Sequence, residues 1–378
     1  MKVEYNPSFF KIHNFKKDFF GSSPSVFVGR FGYPYVNVGL LAPPKILEDP
    51  TVYDNPRLWS SENFSQQNII DLRSNLVNSR FKSDIKFSNR YIEIAREVSM
   101  SLKGADLEVN LKKKPFIKTN LYQFNAPTGS KAELLKARVT SNVKIDSRVD
   151  KVVDDIDLKA EEAVLYLHKK GFQENFLTKL ISLGNLGLKK NRKLVPSRWS
   201  ITAIDDIIGK NIIYEIKSFE TLDKPRLYYE DYFGNYYFIL MFPDVWGYEL
   251  YEKKYDDCWT DFEFYDGRKT YAEDIAGGYY ANRVVILEKL KELKKQATIF
   301  SLRIVTDEYK SPLGVWVCRE ATRKAMEKKP IEFESEGLML NFLKTTVKSK
   351  LNTDITNILK QSKVLNFIKS QVRLTKFL

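Results

Sequence analysis

The sequence has only two cysteines and two histidines among its 378 residues, which limits the chemistry that it supports. Cys258 and Cys318 are far apart, and no CxxC pair occurs. A structural zinc site takes about four nitrogen or sulfur ligands, so we expect no metal site and no cofactor. Sparse cysteine is also more typical of a reducing cytoplasm than of secreted, disulfide-linked proteins.

Long hydrophobic runs are also missing. Residues 1–20, MKVEYNPSFFKIHNFKKDFF, mix aromatic and basic residues and lack the apolar stretch of a signal peptide. No run of about eighteen apolar residues occurs, so no transmembrane helix is predicted. We therefore expect a soluble, cytoplasmic protein without a membrane partner.

What the sequence does contain is enough apolar material for a large core and an excess of positive charge. Hydrophobic residues make up 43% and aromatic residues 13%, which excludes a disordered protein. The net charge is +13, and an excess of this size favours polyanionic partners, above all nucleic acid. A lysine-rich surface that only aids solubility is the alternative.

Patterns of both helix and strand run along the chain. Residues 26–28 and 36–38 predict two strands joined through Gly29, Gly32 and Pro34. Residues 226–242 predict a hairpin that turns at Gly234-Asn235. The remaining predictions are helices at 69–81, 155–169, 200–219, 282–297 and 319–328, strands within 90–126, 299–305 and 314–318, and a helical region from 336 onward. The long helix at 200–219 is expected to be capped by Ser200 or Thr202.

Helices and strands do not alternate regularly, which favours an α+β fold with a large mixed N-terminal region and a smaller, mainly helical C-terminal region. We expect an extension at 1–20, domains at 21–265 and 266–360, and a basic tail at 361–378.

The last eight residues, QVRLTKFL, match the pattern by which proteins bind the replication sliding clamp (PCNA). One tight helical turn places Leu374 and Phe377 on one side, with Leu378 beside them, and Gln371 offers an amide to a polar pocket. A short peptide must obtain most of its binding energy from a few such anchors. The alternative is the last turn of an amphipathic helix that packs on the core.

Two basic clusters are candidates for DNA contacts. Residues 337–378 contain eight Lys or Arg residues against one Asp. The loop before the 200–219 helix holds the second cluster, which consists of Lys189, Lys190, Arg192, Lys193 and Arg198 and is followed by Trp199. An arginine beside a tryptophan can combine phosphate binding with base stacking. The alternatives are solvated lysines and a tryptophan that belongs to the core.

A pocket for catalysis is the competing interpretation. Gly29 and Gly32 allow close backbone approach, Arg30 supplies charge, and Asp205 and Asp206 supply carboxylates. The glycines do not form a P-loop, because no GK[ST] follows them.

Asp205, Glu215 and Lys217 also resemble the D…ExK set of Mg²⁺-dependent nucleases. That set needs its Glu and Lys on a strand, whereas the isoleucine spacing here predicts a helix on which the two side chains point apart. The pattern therefore does not favour a nuclease of this kind.

Several long phrases in the sequence resemble the archaeal Nre family. They are GSSPSVFVGRFGYPYVNVG, DNPRLW, IIDLRSNLV, DLKAEEAV, NRKLVPSRWSITAIDD, AGGYYANRVVILEKL and GVWVCREATRKA. The resemblance implies DNA repair at the nucleoid and clamp binding through Gln371, Leu374, Phe377 and Leu378. Many relatives begin with a cysteine-rich segment, which the first twenty residues here lack.

Two classes of function remain open. The chain is either a DNA-repair adaptor that the clamp recruits, or an enzyme, nuclease or nucleotide-processing, that acts near the glycine-rich segment and the SRWSITAIDD motif. A structural interaction protein is the third alternative. An enzyme should gather Arg30, Arg198, Asp205 and Asp206 in one pocket, whereas an adaptor should present them on an open basic surface.

Overall fold

The computed structural model describes residues 15–115 and 128–370. The chain divides into two compact units, Met1–Ile207 with Ser311–Gly314 and Ile208–Lys310 with Val315–Leu378. Each unit has its own six-stranded sheet and its own helices, which confirms the α+β class. Within the described ranges, no helix combines the length and the apolar character that crossing a bilayer requires.

Among its described residues, the first unit contains six strands and the first seven helices. The strands are β1 (Asp18–Ser23), β2 (Ser25–Val28), β3 (Tyr35–Ala42), β4 (Val77–Asp84), β5 (Ala105–Leu111) and β6 (Ser130–Val139). The helices are α1 (Pro56–Ser61), α2 (Gln66–Ser74), α3 (Arg90–Met100), α4 (Ser147–Asp154), α5 (Ala160–Lys169), α6 (Glu174–Ser182) and α7 (Ser197–Ile216), whose last residues belong to the second unit. Short 3-10 helices cover Pro50–Asp54 and Lys189–Asn191.

The first sheet has the order β1-β5-β6-β4-β3-β2, and only β4 and β6 pair in parallel. Pro24 alone separates β1 at one edge from β2 at the other. The hydroxyl of Ser23 donates to the carbonyl of Leu41 in β3, 2.9 Å away, so the sheet curls until its two edges approach. Proline has no backbone N–H and interrupts the ladder at this corner. Helix α3 packs against the curled sheet and buries Ile92, among other apolar residues.

Up to residue 370, where the description ends, the second unit contains eight strands and five further helices. The strands are β7 (Glu220–Thr221), β8 (Arg226–Tyr232), β9 (Asn235–Phe242), β10 (Gly247–Lys254), β11 (Asp257–Glu263), β12 (Lys295–Gln296), β13 (Thr298–Val305) and β14 (Ile331–Glu332). The helices are α8 (Gly277–Leu293), α9 (Trp316–Glu327), α10 (Glu336–Leu351), α11 (Thr356–Gln361) and α12 (Lys363–Ser370).

The sheet of the second unit has the order β11-β10-β13-β9-β8-β14, and β9 in its middle is buried along nearly its whole length. Phe238, Leu240 and Phe242 pack in one cluster with α10, α11 and α12. The alternate residues of β9 face the other way, since side chains alternate along a strand. Helix α9 contacts β8 and β9, which gives a helix–sheet–helix arrangement.

Several predicted elements differ from the observed ones. The predicted helix at 69–81 ends at Ser74, and residues 77–84 form β4. The prediction of strands in 90–126 is wrong for residues 90–100, which form α3.

Two further predictions also fail. The prediction of a strand at 314–318 is wrong, because residues 316–318 form the beginning of α9. Helix α7 begins at Ser197, so Ser200 and Thr202 lie inside the helix and do not cap it. The predicted hairpin is confirmed, but its two-residue turn is Phe233-Gly234, one residue earlier, where both φ angles are positive as in the turn favoured by twisted strands.

The expected domain boundary at 265 falls in the loop between β11 and α8, inside the second unit, and stays a prediction. The described part of the expected tail is helical. Residues 363–370 form α12, which packs on β10 and β13.

Candidate functional site

The glycine-rich segment forms a tight turn between β2 and β3. The amide of Gly29 donates to the carbonyl of Asn37 at 2.8 Å, and the amide of Tyr35 donates to Gly32 at 2.7 Å. Gly32 has a φ of +84°, and a Cβ there would lie 2.8 Å from the carbonyl oxygen of Tyr35. Glycine at 32 is therefore needed to close the turn itself. The turn also contains a cis peptide bond between Tyr33 and Pro34.

The beginning of helix α7 lies directly against this turn. The amide of Val28, at the end of β2, donates to the hydroxyl oxygen of Ser197 at 2.9 Å. The rings of Tyr33 and Trp199 contact each other, with centroids 5.1 Å apart and an interplanar angle of 56°. The structure thus joins the glycine-rich segment to the SRW motif.

The basic loop is hydrogen-bonded to the same turn through Ile85, the residue that follows β4. The amide of Ile85 donates to the carbonyl of Pro34 at 3.1 Å, and the amide of Leu194 donates to the carbonyl of Ile85 at 2.8 Å. Lys193 therefore directly precedes a residue that is linked to the turn through Ile85. We define the aromatic–basic surface as Arg30, Phe31, Tyr33, Lys193, Arg198 and Trp199.

The rings of the aromatic–basic surface are open to solvent. Phe31 is 76% exposed and Trp199 is 46% exposed, although aromatic rings of this size are usually buried. The guanidinium of Arg30 lies over the Phe31 ring, 5.0 Å from its centroid. Trp199 is consequently not a core residue, and the rings stand beside cations on one exposed face.

The five cations of the basic loop play two roles. Arg192 donates to the carbonyls of Gly187, Val153 and Asp155 at 2.7, 2.8 and 2.9 Å, and it thereby fixes the loop. Burial lowers its pKa, with a further contribution from Arg96. The other four are exposed, and within the described part of the chain none of them forms an ion pair: Lys189, Lys190, Lys193 and Arg198.

The carboxylates of the predicted pocket do not join this surface. Asp205 is fully buried and Asp206 is half-buried, and both lie further along α7. Glu215 lies in α7, as the spacing predicts, where it accepts from Asn211 at 2.7 Å and pairs with Lys291 at 2.5 Å. The clamp motif, Gln371, Leu374, Phe377 and Leu378, lies outside the described residues.

A cleft of about 270 Å³ lies elsewhere in the first unit, where Pro24 connects the two edges of the sheet. Its lining includes Phe176 and Lys179 from α6 and Arg148 from α4, but none of the residues of the predicted pocket. The ammonium of Lys179 donates to the carbonyl of Pro24 at 3.1 Å and lies 5.3 Å from the centroid of the Phe176 ring. Burial lowers the pKa of Lys179 to about 8, and the nearby carboxylate of Asp54 only partly opposes this effect.

The partners of the other charged groups in the cleft are fixed. Asp54 accepts from Arg73 at 2.5 Å. Arg148 donates to both carboxylate oxygens of Asp146, at 2.6 and 2.8 Å, and lies 4.9 Å from the centroid of the Phe172 ring. These hydrogen bonds lower the pKa of Asp146 to about 2.

This cleft is not among the sites that the sequence patterns predict. One signal was available, because Lys179 is three residues after Phe176 and four before Leu183, which places a lysine on the apolar face of an amphipathic helix. The segments that surround it are distant in sequence, so nothing in their spacing indicated a common site.

Comparison with known proteins assigns the chain to a family. Archaeal Nre, N-terminal, matches residues 3–260, and Archaeal Nre, C-terminal, matches residues 263–377. DNA repair protein NreB of Archaeoglobus fulgidus is 35% identical over 339 residues, which cover 87% of this chain and 85% of the relative. DNA repair protein NreA of the same organism is 36% identical over 326 residues, or 83% of this chain and 81% of the relative.

DNA repair protein NreA of Haloferax volcanii is similar at 33% identity over 337 residues, which cover 84% of this chain and 80% of the relative. No solved structure matches the chain. Because the two Nre descriptions together cover nearly every residue, the chain belongs to the archaeal Nre family.

Proposed function

We propose that this protein is a DNA-repair factor that binds DNA through its aromatic–basic surface and is recruited to the nucleoid by the sliding clamp. The names of its relatives support the repair role. The observation that carries the DNA-binding part is the contact between Tyr33 and Trp199, which presents exposed rings beside Arg30 and Arg198. Cations that bind phosphates next to rings that stack on bases are the usual means of binding single-stranded nucleic acid.

The surface favours binding over hydrolysis. Metal-dependent cleavage needs carboxylates that reach the phosphate, and Asp205 is buried within the unit. The rings and cations lie on an open face and not in the cleft. The exposed lysines of α10 to α12 offer a second cationic face, which we include in the DNA contacts: Lys344, Lys348, Lys350, Lys360, Lys363 and Lys369.

The DNA-binding proposal is tested with the double substitution Tyr33→Ala and Trp199→Ala. Stacking is worth about 1–3 kcal/mol per base, so affinity for a single-stranded oligonucleotide should fall at least tenfold in fluorescence anisotropy. Tyr214→Ala is the matched control, because Tyr214 is 84% exposed and lies outside the aromatic–basic surface. Equal affinity of the double variant and the wild type, with both folded by circular dichroism, would contradict the proposal.

The clamp-binding part rests on the pattern of Gln371, Leu374, Phe377 and Leu378. Phe377→Ala with Leu378→Ala should abolish binding to an archaeal sliding clamp in calorimetry, because these two side chains are the apolar anchors. Thr375→Ala is the matched control, since this position of the pattern accepts any residue. The thermal unfolding temperature should not change in either variant. Unaltered affinity of the double variant refutes recruitment by this motif.

A further inference from the structure

The amine of Lys179 has an unusual position for a lysine. Its Nζ donates one hydrogen bond, to the carbonyl oxygen of Pro24, and within the described residues no carboxylate lies within 4.0 Å of it. The nearest acidic group that influences it, Asp54, is already paired with Arg73. The Phe176 ring covers one side. The Lys179 side chain is half-buried, and an ammonium partly removed from water without a counterion is disfavoured relative to the neutral amine.

The neutral amine is a nucleophile, and its population here is substantial. With a pKa of about 8, a much larger share of Lys179 than of an ordinary lysine is neutral near physiological pH. Desolvation of this kind is one of the ways in which enzymes activate a lysine to form a Schiff base with a carbonyl compound.

The cleft around Lys179 has room and polarity for a small sugar phosphate. Its volume is about 270 Å³, and Asn55 and Gln173 bring polar side chains to its wall. Lys170 supplies positive charge for a phosphate, while Leu102 contributes apolar surface. These features fit a ligand that combines a carbon skeleton, hydroxyl groups and an anionic group.

The cleft is close enough to the aromatic–basic surface to share one DNA strand with it. Pro24 in the cleft and Gly29 at the turn are separated by five residues of extended chain, or at most about 18 Å. That distance corresponds to about five nucleotide steps of B-form DNA at 3.4 Å each. A nucleotide that lacks its base is the one most easily extruded from a duplex, because little pairing or stacking is lost.

We infer that this cleft accepts the ring-opened sugar of an abasic nucleotide, and that Nζ of Lys179 forms a reversible imine with its C1′ aldehyde. The lone pair of Nζ bonds to C1′, and one proton passes from the nitrogen to the carbonyl oxygen to give a carbinolamine. The hydroxyl group then leaves with the second proton of the nitrogen as water, and a C=N bond remains. No oxidant or reductant is needed. The DNA part of this inference rests on the proposed function, whereas the chemistry of the cleft does not.

The test is borohydride trapping with the full-length protein and an oligonucleotide that contains one abasic site. Borohydride reduces the imine to a stable secondary amine, so a covalent complex should form and peptide mapping should locate it on Lys179. Lys179→Arg should lower the yield at least tenfold, and Lys169→Arg, which alters an exposed lysine that does not line the cleft, should not. Mapping of the adduct to the N-terminal amine or to other lysines would overturn the inference, as would an undiminished yield in Lys179→Arg.

Mapping on the wild-type protein decides the question even if Lys179→Arg fails to fold. The second arm uses free 2-deoxyribose 5-phosphate, whose open form carries the same aldehyde and needs no DNA-binding surface. Trapping of the sugar phosphate on Lys179 without trapping of the oligonucleotide would support the amine chemistry and contradict DNA delivery to the cleft. Absence of both adducts, while the protein still binds oligonucleotides, would contradict imine formation at Lys179 and leave the proposed function intact.

Discussion

At the scale of single residues, the protein contains groups whose surroundings oppose their ordinary charge state. Lys179 is the clearest case, since burial lowers its pKa to about 8 and only Asp54 acts in the opposite direction. Asp54 lines the same cleft but is paired with Arg73, and the other charged side chains there, Arg148 and Lys170, are cations. Such a position costs stability whenever the amine is protonated.

This cost predicts a pH-dependent effect of Lys179→Met. In the unfolded chain, a lysine has a pKa of about 10.4. Between pH 8 and this value the unfolded chain binds more protons than the folded protein, so the free energy of unfolding rises with pH. Below pH 8 both states are protonated and the cost is present in full. The variant should therefore be more stable than the wild type by on the order of 2 kcal/mol at pH 7, and this advantage should shrink by pH 10.

Urea unfolding of both proteins at pH 7 and pH 10 measures this difference. Lys170→Met is the control, because Lys170 lines the same cleft but is exposed. A stability difference between Lys179→Met and the wild type that does not change with pH would show that Lys179 titrates normally in the folded protein.

At the scale of elements, helix α12 is fixed at its beginning by one buried carboxylate. Glu249 in β10 accepts from the amides of Lys363 and Val364, at 3.0 and 3.2 Å, and from the hydroxyl of Ser362. The first amides of a helix have no partner within it, and a carboxylate there also meets the favourable end of the helix dipole. Burial raises the pKa of Glu249 despite these hydrogen bonds.

Glu249→Ala should therefore release α12 from the second sheet. Loss of the acceptor leaves buried donors without a partner, which costs about 1–3 kcal/mol. Hydrogen exchange of residues 363–370 should accelerate, while α10 keeps its protection. Glu249→Gln is the matched control, since its amide oxygen still accepts one hydrogen bond and the effect should be smaller. Unchanged exchange in 363–370 would show that apolar packing alone holds the helix.

The elements also show which features sequence patterns predict. The β2–β3 and β8–β9 hairpins were predicted, because alternating apolar residues and glycine turns are local signals. Helix α3 was missed, because Ile92 and Ile94 alternate as in a strand, although Asn89 caps the helix by accepting from the amides of Tyr91 and Ile92. The apolar run GVWVC was predicted as a strand, and this is wrong because so short a run does not distinguish a strand from the beginning of a helix.

The candidate sites were predictable only in part. The exposed cations of the basic loop and Trp199 were identified from local composition, but the contact of Trp199 with Tyr33 depends on how β2 and α7 meet in the folded unit. The cleft depends even more on tertiary structure, because Pro24, Arg148 and Lys179 meet through the curl of the sheet. Burial of Asp205 likewise could not be read from its neighbours.

At the scale of the whole molecule, the net charge of +13 attracts DNA whichever surface the individual charges occupy. Loss of any two lysines therefore weakens the long-range attraction. Direct phosphate contacts differ from this general effect in their salt dependence. Each contact that releases a counterion contributes a log–log slope of about −0.7 on single-stranded DNA and about −0.9 on duplex. The salt slope therefore distinguishes the surfaces that touch the backbone from those that only add charge.

Lys193→Ala with Arg198→Ala should make the slope on single-stranded DNA less steep by about 1.4, which corresponds to two lost phosphate contacts. Lys103→Ala with Lys269→Ala removes the same charge from two exposed positions outside the aromatic–basic surface and should leave the slope unchanged. Affinities measured by anisotropy between about 50 and 200 mM salt give the slopes. Equal slopes for the two pairs of substitutions would mean that the basic loop acts only through its field, and the aromatic–basic surface would no longer be the place where the strand lies.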